Sequence, residues 1–530
     1  MVSRVWIDSE PQTALLPVTA GQLLPPDHLA FRFQALVGEL DLGRFEAAYR
    51  ADGRGRPPFD PRMMLTLILY CRAKRLTSAR AVAAACHDDL GARVITGNRY
   101  PDRSTIDRFL ATHAAAIKAA LAGTLRLGNA EQLVDVSVVA GDGTVLQANA
   151  AMANTIDEAG LRTQIGALSS ALADAQAGWA EQIAAEIETE PSQPDLWGGE
   201  HPHLPRRGGG GPSRAGAEQA AWRKVRTLAR LLGARQQALS YLQAHPGAAD
   251  EQAWSDRLAR DQARVAARAE QLDQTRAKLQ AAADNRAAAV AAGTRISGTP
   301  PVPVEAHCQL RRAVTALQIA TARAEKTAAA RPAGTRVNTT DPTSRITPGK
   351  KHAGFDQRHN IQALAGRGQF VIAITTHPCS NDTQALTTLI EAARANLDAA
   401  GITTGIGTAL FDAGYASEAN FTAELPVENL LIAVEKHDKP THQPATTTGA
   451  QPRQRPASWQ IMADRLNQPD NHALYKRRSA IIEPLFAQLF TRFGRTLHAR
   501  GDQVDVELHL WAIAHNLLKI SHHRQRNRTG

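Results

Sequence analysis

Apolar residues recur at helical spacing through MMLTLILYCRAKRL (63–76), and Pro61 suits the first turn of the helix this predicts. A second helix is predicted from Ser78 (SARAVAAACHDDLGARVI), with Ser78 as its cap. A third is predicted in PDRSTIDRFLATHAAAIKAALAG, with Ser104 as cap and Asp107 in the first turn. Arg99, Arg103 and Arg108 lie close to these short helices. Residues 1–125 therefore read either as a helix-turn-helix DNA-binding domain, with Arg103 and Arg108 among its contacts, or as a plain helical domain. The pattern changes at Glu131, where the valine-rich EQLVDVSVVAGDGTVLQANA predicts a buried strand and its continuation. From 155 to 330 the chain is dominated by Ala, Arg, Gln and Glu with alternating charge, which predicts long antiparallel or coiled-coil-like helices. Breakers at 190–216 and 294–306 divide that stretch, and the first, with four consecutive glycines, predicts a flexible loop. Two or three strands follow over 335–378, with turns at Asp341-Pro342 and Gly366, and then a capped helix in SNDTQALTTLIEAARANLDAAG. A strand ending at Asp412, another at 430–436, a loose proline-rich stretch at 437–457 and closing helices complete the order. The fold class is α/β: a domain over 131–530, interrupted by a helical insertion at 155–330, behind an all-α N-terminal domain.

Length and charge narrow the function. A chain of 530 residues exceeds one ordinary core, and 61 Lys+Arg against 51 Asp+Glu leave a net charge of +10. That modest excess favours a polyanionic partner without requiring one. The four cysteines, Cys71, Cys86, Cys308 and Cys379, form no CxxC pair, which argues against a disulfide scaffold or structural zinc and fits a reducing cytoplasm. MVSRVWIDSEPQTALLP lacks the apolar core of a signal peptide, and the most apolar stretch, Met63 to Cys71, falls far short of the roughly 20 residues that span a bilayer. No membrane role is expected.

Three acids carry candidate chemistry. Asp142 sits inside the apolar strand VVAGDGTVL, where a carboxylate is costly unless it is paired or bound to a cation. Asp412 ends the strand TALFDAGY, at the carboxyl edge where α/β sheets hold their ligands. Each alone could be a turn or cap aspartate, but two on one predicted sheet point toward a metal site. Glu483 precedes Pro484 in YKRRSAIIEPLFAQLF, so it is expected at a helix start or kink, either as an ordinary cap or as a third acid. Asp341, beside Pro342, reads as a turn residue, and the HPH sequence of His201 to His203 looks like a metal pair but lies beside the glycine-rich loop, which argues against a functional site.

VVAGDGTVLQANA, FDAGYASEANF and Tyr475-x-x-Arg478-x4-Glu483-Pro484 resemble the three catalytic blocks of DDE-class bacterial insertion-sequence transposases, in the group with an InsH-like N-terminal domain. PPFDPRMMLTLILYCRAKRLTSARAVAAAC and YPDRSTIDRF are similar to that group's N-terminal domain. NTTDPTSR with GFDQRHNIQA is similar to its block between the first two acids, and WAIAHNLLKI to its C-terminal helix. The resemblance covers most of the chain outside the insertion and loops. It implies an RNase H-like mixed sheet in which Asp142, Asp412 and Glu483 bind two Mg²⁺ (or Mn²⁺) ions for DNA cleavage and strand transfer. It also implies that Tyr475 and Arg478 contact phosphate, that double-stranded DNA is the partner at element ends and target, and that the protein works as a homodimer in the nucleoid. Relatives commonly carry a basic residue seven positions after the glutamate. That position is Phe490 here, with Arg492 the next basic side chain able to reach DNA. A nuclease without strand transfer, or a non-catalytic DNA-binding scaffold derived from a transposase, would retain many of the same features.

Overall fold

A computed structural model describes residues 20–49, 57–189, 214–244, 248–293, 302–329, 336–348, 355–378, 382–434 and 456–529. His201, His203, Cys379 and most of the expected loops at 190–216 and 437–457 lie outside the described residues. The chain forms α1 (Leu29–Gly38), α2 (Gly43–Glu46), α3 (Pro61–Ala73), α4 (Ala79–Asp88), α5 (Leu90–Thr96), α6 (Arg103–Thr112) and α7 (Ala114–Ala130) before the first strand. That strand is β1 (Val138–Gln147). The short β2 (Thr155–Ile156), the long α8 (Glu158–Thr189), α9 (Arg214–Ala244), α10 (Ala248–Ala291) and α11 (Cys308–Ala329), and β3 (Val337–Asn338) come next. The sheet resumes with β4 (Arg345–Pro348), β5 (Phe355–Gly366) and β6 (Val371–His377), followed by α12 (Leu386–Ala399), β7 (Ile406–Phe411), α13 (Glu418–Thr422) and β8 (Val427–Ile432). The chain closes with α14 (Ala457–Asn467), α15 (Pro469–Tyr475), α16 (Arg478–Phe493) and α17 (Gln503–Thr529).

Two compact units result, one of residues 1–154 with 343–530 and one of residues 155–342. In the first, β5 pairs antiparallel with β1 along one edge and with β4 and β6 along the other, while β1, β7 and β8 run parallel. The order β6-β5-β1-β7-β8 is the mixed sheet of an RNase H-like fold. One apolar core runs from the N-terminal helices through the sheet to α17. Trp511 on α17 is 1 % exposed and stacks on Phe493 with ring centroids 5.1 Å apart. The edge strand β6 would leave polar backbone atoms unpaired. Asn516 of α17 meets this need: its side chain accepts from the Val371 N–H (2.9 Å) and donates to the Val371 carbonyl (2.9 Å) and to Thr124 on α7 (3.1 Å). Gly128 on α7 lets the Phe370 ring approach to where a Cβ would be 2.5 Å away.

In the second unit α8 packs on α9 and α10 on α11. Both ends of this stretch meet in the antiparallel β2–β3 pair, next to a small core of Leu161, Ala238, Leu242 and Val337. Trp179 and Trp222 join α8 to α9 with centroids 5.2 Å apart. Asp261 joins α10 to α11 through Arg323 (3.1 Å) and Thr327 (2.9 Å). Asp341 is buried in a turn whose N–H donates to Asn338 (3.2 Å).

Several local expectations change. Ser78 caps α4 by accepting from the Ala81 N–H (3.1 Å), but the cap of α6 is Asp102, which accepts from Thr105 (2.7 Å), rather than Ser104. Carboxylates and hydroxyls compete for the same orphan N–H groups, and Asp102 holds the position one residue outside the helix. Helix α12 has no side-chain cap at all, because Asp382 is committed to the sheet instead. Helix α16 starts at Arg478, five residues before Glu483, and runs through Pro484. Proline removes the N–H that would bond the Ala480 carbonyl. The Gln369 side chain donates to that carbonyl instead (3.3 Å), which lets the helix pass the proline.

Candidate active site

Asp142 and Asp412 become neighbours through strand register. β1 and β7 are parallel, with Val138 opposite Thr408, Val139 opposite Ala409 and Ala140 opposite Leu410. Carried two residues further, the same register sets Asp142 opposite Asp412, at the carboxyl end of β7. Side chains alternate along a strand, so Asp142 points to one face and its glycine neighbours to the other. Glycine is needed at both flanks. A Cβ on Gly141 would lie 2.2 Å from the Phe411 ring, and one on Gly143 would lie 2.5 Å from Asp382 Oδ1 and 2.6 Å from Gln362 Nε2. Beyond β7, Asp412 accepts from the Gly414 N–H (2.9 Å), turning the chain into a short 3-10 segment.

The first turn of α16 delivers a cation to this pair. Arg478 Nη1 donates to Asp142 Oδ2 at 3.3 Å. The Tyr475 hydroxyl donates to the Phe411 carbonyl (3.1 Å), which ties α15 to the end of β7. Burial, and after it the Asp412 carboxylate, push the Asp142 carboxyl up to about 6, against the opposing pull of Arg478. Two half-buried carboxylates side by side form a site short of positive charge. Their hard oxygen donors suit Mg²⁺ or Mn²⁺.

The remaining sequence-expected residues are placed elsewhere. Glu483 lies on the solvent-exposed side of α16, whereas Ile481, Ile482, Leu485 and Leu489 fill the buried side. Five residues of helix turn Glu483 about 140° away from Arg478. Among the described residues, no three His, Cys, Asp or Glu side chains are grouped to hold a metal ion. Arg492 donates to the Ala73 carbonyl at the end of α3 (3.2 Å). Phe490 stacks on Phe486 and lies under the Arg495 guanidinium. Arg103 and Arg108 are exposed on α6, with Arg103 paired to Asp107 (3.3 Å).

Asp382 was not foreseen. Its Oδ1 accepts from Asn360 (3.0 Å) and Gln362 (2.7 Å) on β5, and Gln362 in turn accepts from the Tyr415 hydroxyl. A Cβ on Gly414 would lie 2.9 Å from Asp412 Oδ1 and 3.3 Å from Asp382 Oδ2, so the two carboxylates approach the same spot. Burial drives the Tyr415 hydroxyl well above its usual range, and the charges of Asp382, Asp142 and Asp412 add to the effect. The trace of Asp382 in the sequence was indirect: a glycine inside a strand marks close approach by another group.

Two family models match the chain. Residues 334–517 match one described as Transposase DDE domain, and residues 18–112 match one described as Transposase domain (DUF772). No curated protein and no solved structure matches significantly.

Proposed function

The chain belongs to the DDE-class insertion-sequence transposases, and from that premise we propose that it binds the terminal inverted repeats of its mobile element and cuts and joins DNA at the Asp142–Asp412 pair. The observation that carries this reading is the parallel register of β1 and β7, which sets two carboxylates side by side with Arg478 against one of them. Asp142 and Asp412 would hold divalent cations, with Glu483 as third ligand once its side chain turns in from solvent. Bound there, two such ions would activate the attacking oxygen and neutralise the leaving one. Arg478 is poised to exchange Asp142 for a DNA phosphate, since guanidinium pairs well with either anion. Tyr475, through the Phe411 carbonyl, holds the end of β7 and so the orientation of Asp412. Arg103, Arg108 and Arg492 are the proposed contacts to double-stranded DNA, and a homodimer would bring two element ends together.

Incubating the protein and Mg²⁺ with a plasmid bearing the element's ends tests the assignment. Wild type is expected to give nicked, excised and joined products, and Asp142→Ala, Asp412→Ala and Glu483→Ala to give none. Full activity in Asp412→Ala would overturn the site. Nicking without joined products would favour a nuclease without strand transfer, and DNA binding without any cleavage would favour a scaffold.

A further inference from the structure

Gln362 stands opposite Gly143 in the β1–β5 register, so its side chain lies on the face of the sheet away from the Asp142 carboxylate. On that face Asp382, Gln362 and Tyr415 form one connected chain. Asp382 Oδ1 accepts from Asn360 (3.0 Å) and Gln362 (2.7 Å), which fixes the Gln362 amide nitrogen toward it and leaves the amide oxygen to accept from the Tyr415 hydroxyl. Gln362 and Tyr415 are fully buried, so no solvent stands in for a lost partner. Tyr415 closes the 3-10 segment whose N-cap is Asp412, and its N–H donates to the Asp412 carbonyl (3.2 Å). Its ring packs edge-on against Phe411, with centroids 4.8 Å apart. Asn420, also buried, fastens the same two segments a second time. Its Nδ2 donates to the Thr383 and Tyr415 carbonyls, at 2.7 Å each. The turn held in this way carries the Gly414 N–H that binds Asp412 Oδ1 at 2.9 Å. Among the described residues no three acids are grouped to hold a metal ion, so Asp382 stands behind the pair rather than in it.

We propose that Asp382 is a positioning residue for the acid pair: through Gln362 and Tyr415 it fixes the turn that holds the Asp412 carboxylate beside Asp142. The proposal rests on the acid-pair reading above and adds to it a support reaching from the opposite face of the sheet. Partners that orient a metal ligand in this way typically cost about 10–100-fold in metal affinity when they are lost.

The test reads Mg²⁺ binding without DNA or turnover. The full chain is melted over a MgCl₂ series, and the midpoint of the rise in melting temperature gives the apparent affinity. Asp382→Ala is expected to raise that midpoint about 10–100-fold, and Tyr415→Phe to raise it in the same direction. Both act through Gln362, so the double variant should shift no further than Asp382→Ala alone. Asp382→Asn keeps an acceptor for the two amides and should recover most of the loss. Asp102→Ala, which removes the α6 cap, controls for general destabilisation: it should melt lower at every concentration with the wild-type midpoint. Wild-type midpoints in Asp382→Ala and Tyr415→Phe overturn the proposal, as do shifts that multiply in the double variant. An equal shift in Asp102→Ala also overturns it. Asp382→Asn as damaging as Asp382→Ala overturns it too, by making the carboxylate a ligand in its own right. If Asp382→Ala does not fold, Tyr415→Phe, which loses only a hydroxyl, decides alone. A wild type that Mg²⁺ does not stabilise brings down the acid-pair reading along with this one, whereas unshifted variants bring down this one only.

Discussion

Asp142→Asn is expected to end DNA cleavage and yet make the metal-free protein more stable at neutral pH. Burial, and secondarily Asp412, hold the Asp142 carboxyl at about 6 instead of the usual 3.8, although Arg478 pulls the other way. The gap corresponds to about 3 kcal/mol of destabilisation once the group is ionised. The sign follows from the raised value. The folded state binds the proton more tightly than the unfolded state, so the penalty is absent below 3.8 and complete above about 6. Asparagine keeps the shape and removes the charge, but it leaves Arg478 without its ion-pair partner, so the net gain is about 1–2 kcal/mol. His515 runs in the opposite direction. Burial depresses it to about 4, so its contribution is present above 6.5 and lost as pH falls toward 4. That loss is common to wild type and variant and cancels in their difference. Urea unfolding of both proteins in chelator, at pH values below and above this window, gives the comparison. The variant should lead at neutral pH and the two should converge near pH 4. A variant no more stable than wild type at neutral pH, or an offset that ignores pH, would refute the account of a strained acid pair.

Further outcomes follow from other contacts. Mg²⁺ should raise the unfolding free energy of wild type and leave Asp142→Asn unmoved in the same urea assay. Gly143→Ala should cost about 1–3 kcal/mol by forcing Asp382 and Gln362 apart, and melting curves at matched pH would register the loss. Glu507→Ala should cost about 3–5 kcal/mol, because Arg72 is left buried without its acid and the His498 and Ala499 N–H groups lose their acceptor. Glu483→Ala should shift stability by less than about 0.5 kcal/mol, since the side chain is exposed, and should still abolish plasmid cleavage. Active Glu483→Ala would remove that residue from the proposed metal set.

Local pattern in the sequence determined much of this protein. Helical spacing found α3 with Pro61 in its first turn, valine density found β1, and low-complexity alanine-rich runs found the long helices of the insertion. These features depend on neighbours a few residues apart, and such periodicities are written directly in the chain. Asp142 and Asp412 were also visible, because a carboxylate in an apolar strand stands out in any context. Their adjacency was decided by the tertiary structure: 270 positions separate them, and only the β1–β7 register makes them neighbours. The same holds for Asp382, which lies just before α12 in the chain but does not cap it. The amides of Asn360 and Gln362 draw it to the sheet. Pro484 shows the converse case. Its local rule foretold a helix start or kink, but the side chain of Gln369, 111 residues before Ala480, satisfies the Ala480 carbonyl that the proline frees. Long-range hydrogen bonds can override a local preference of a few kcal/mol, and no window of sequence contains both partners.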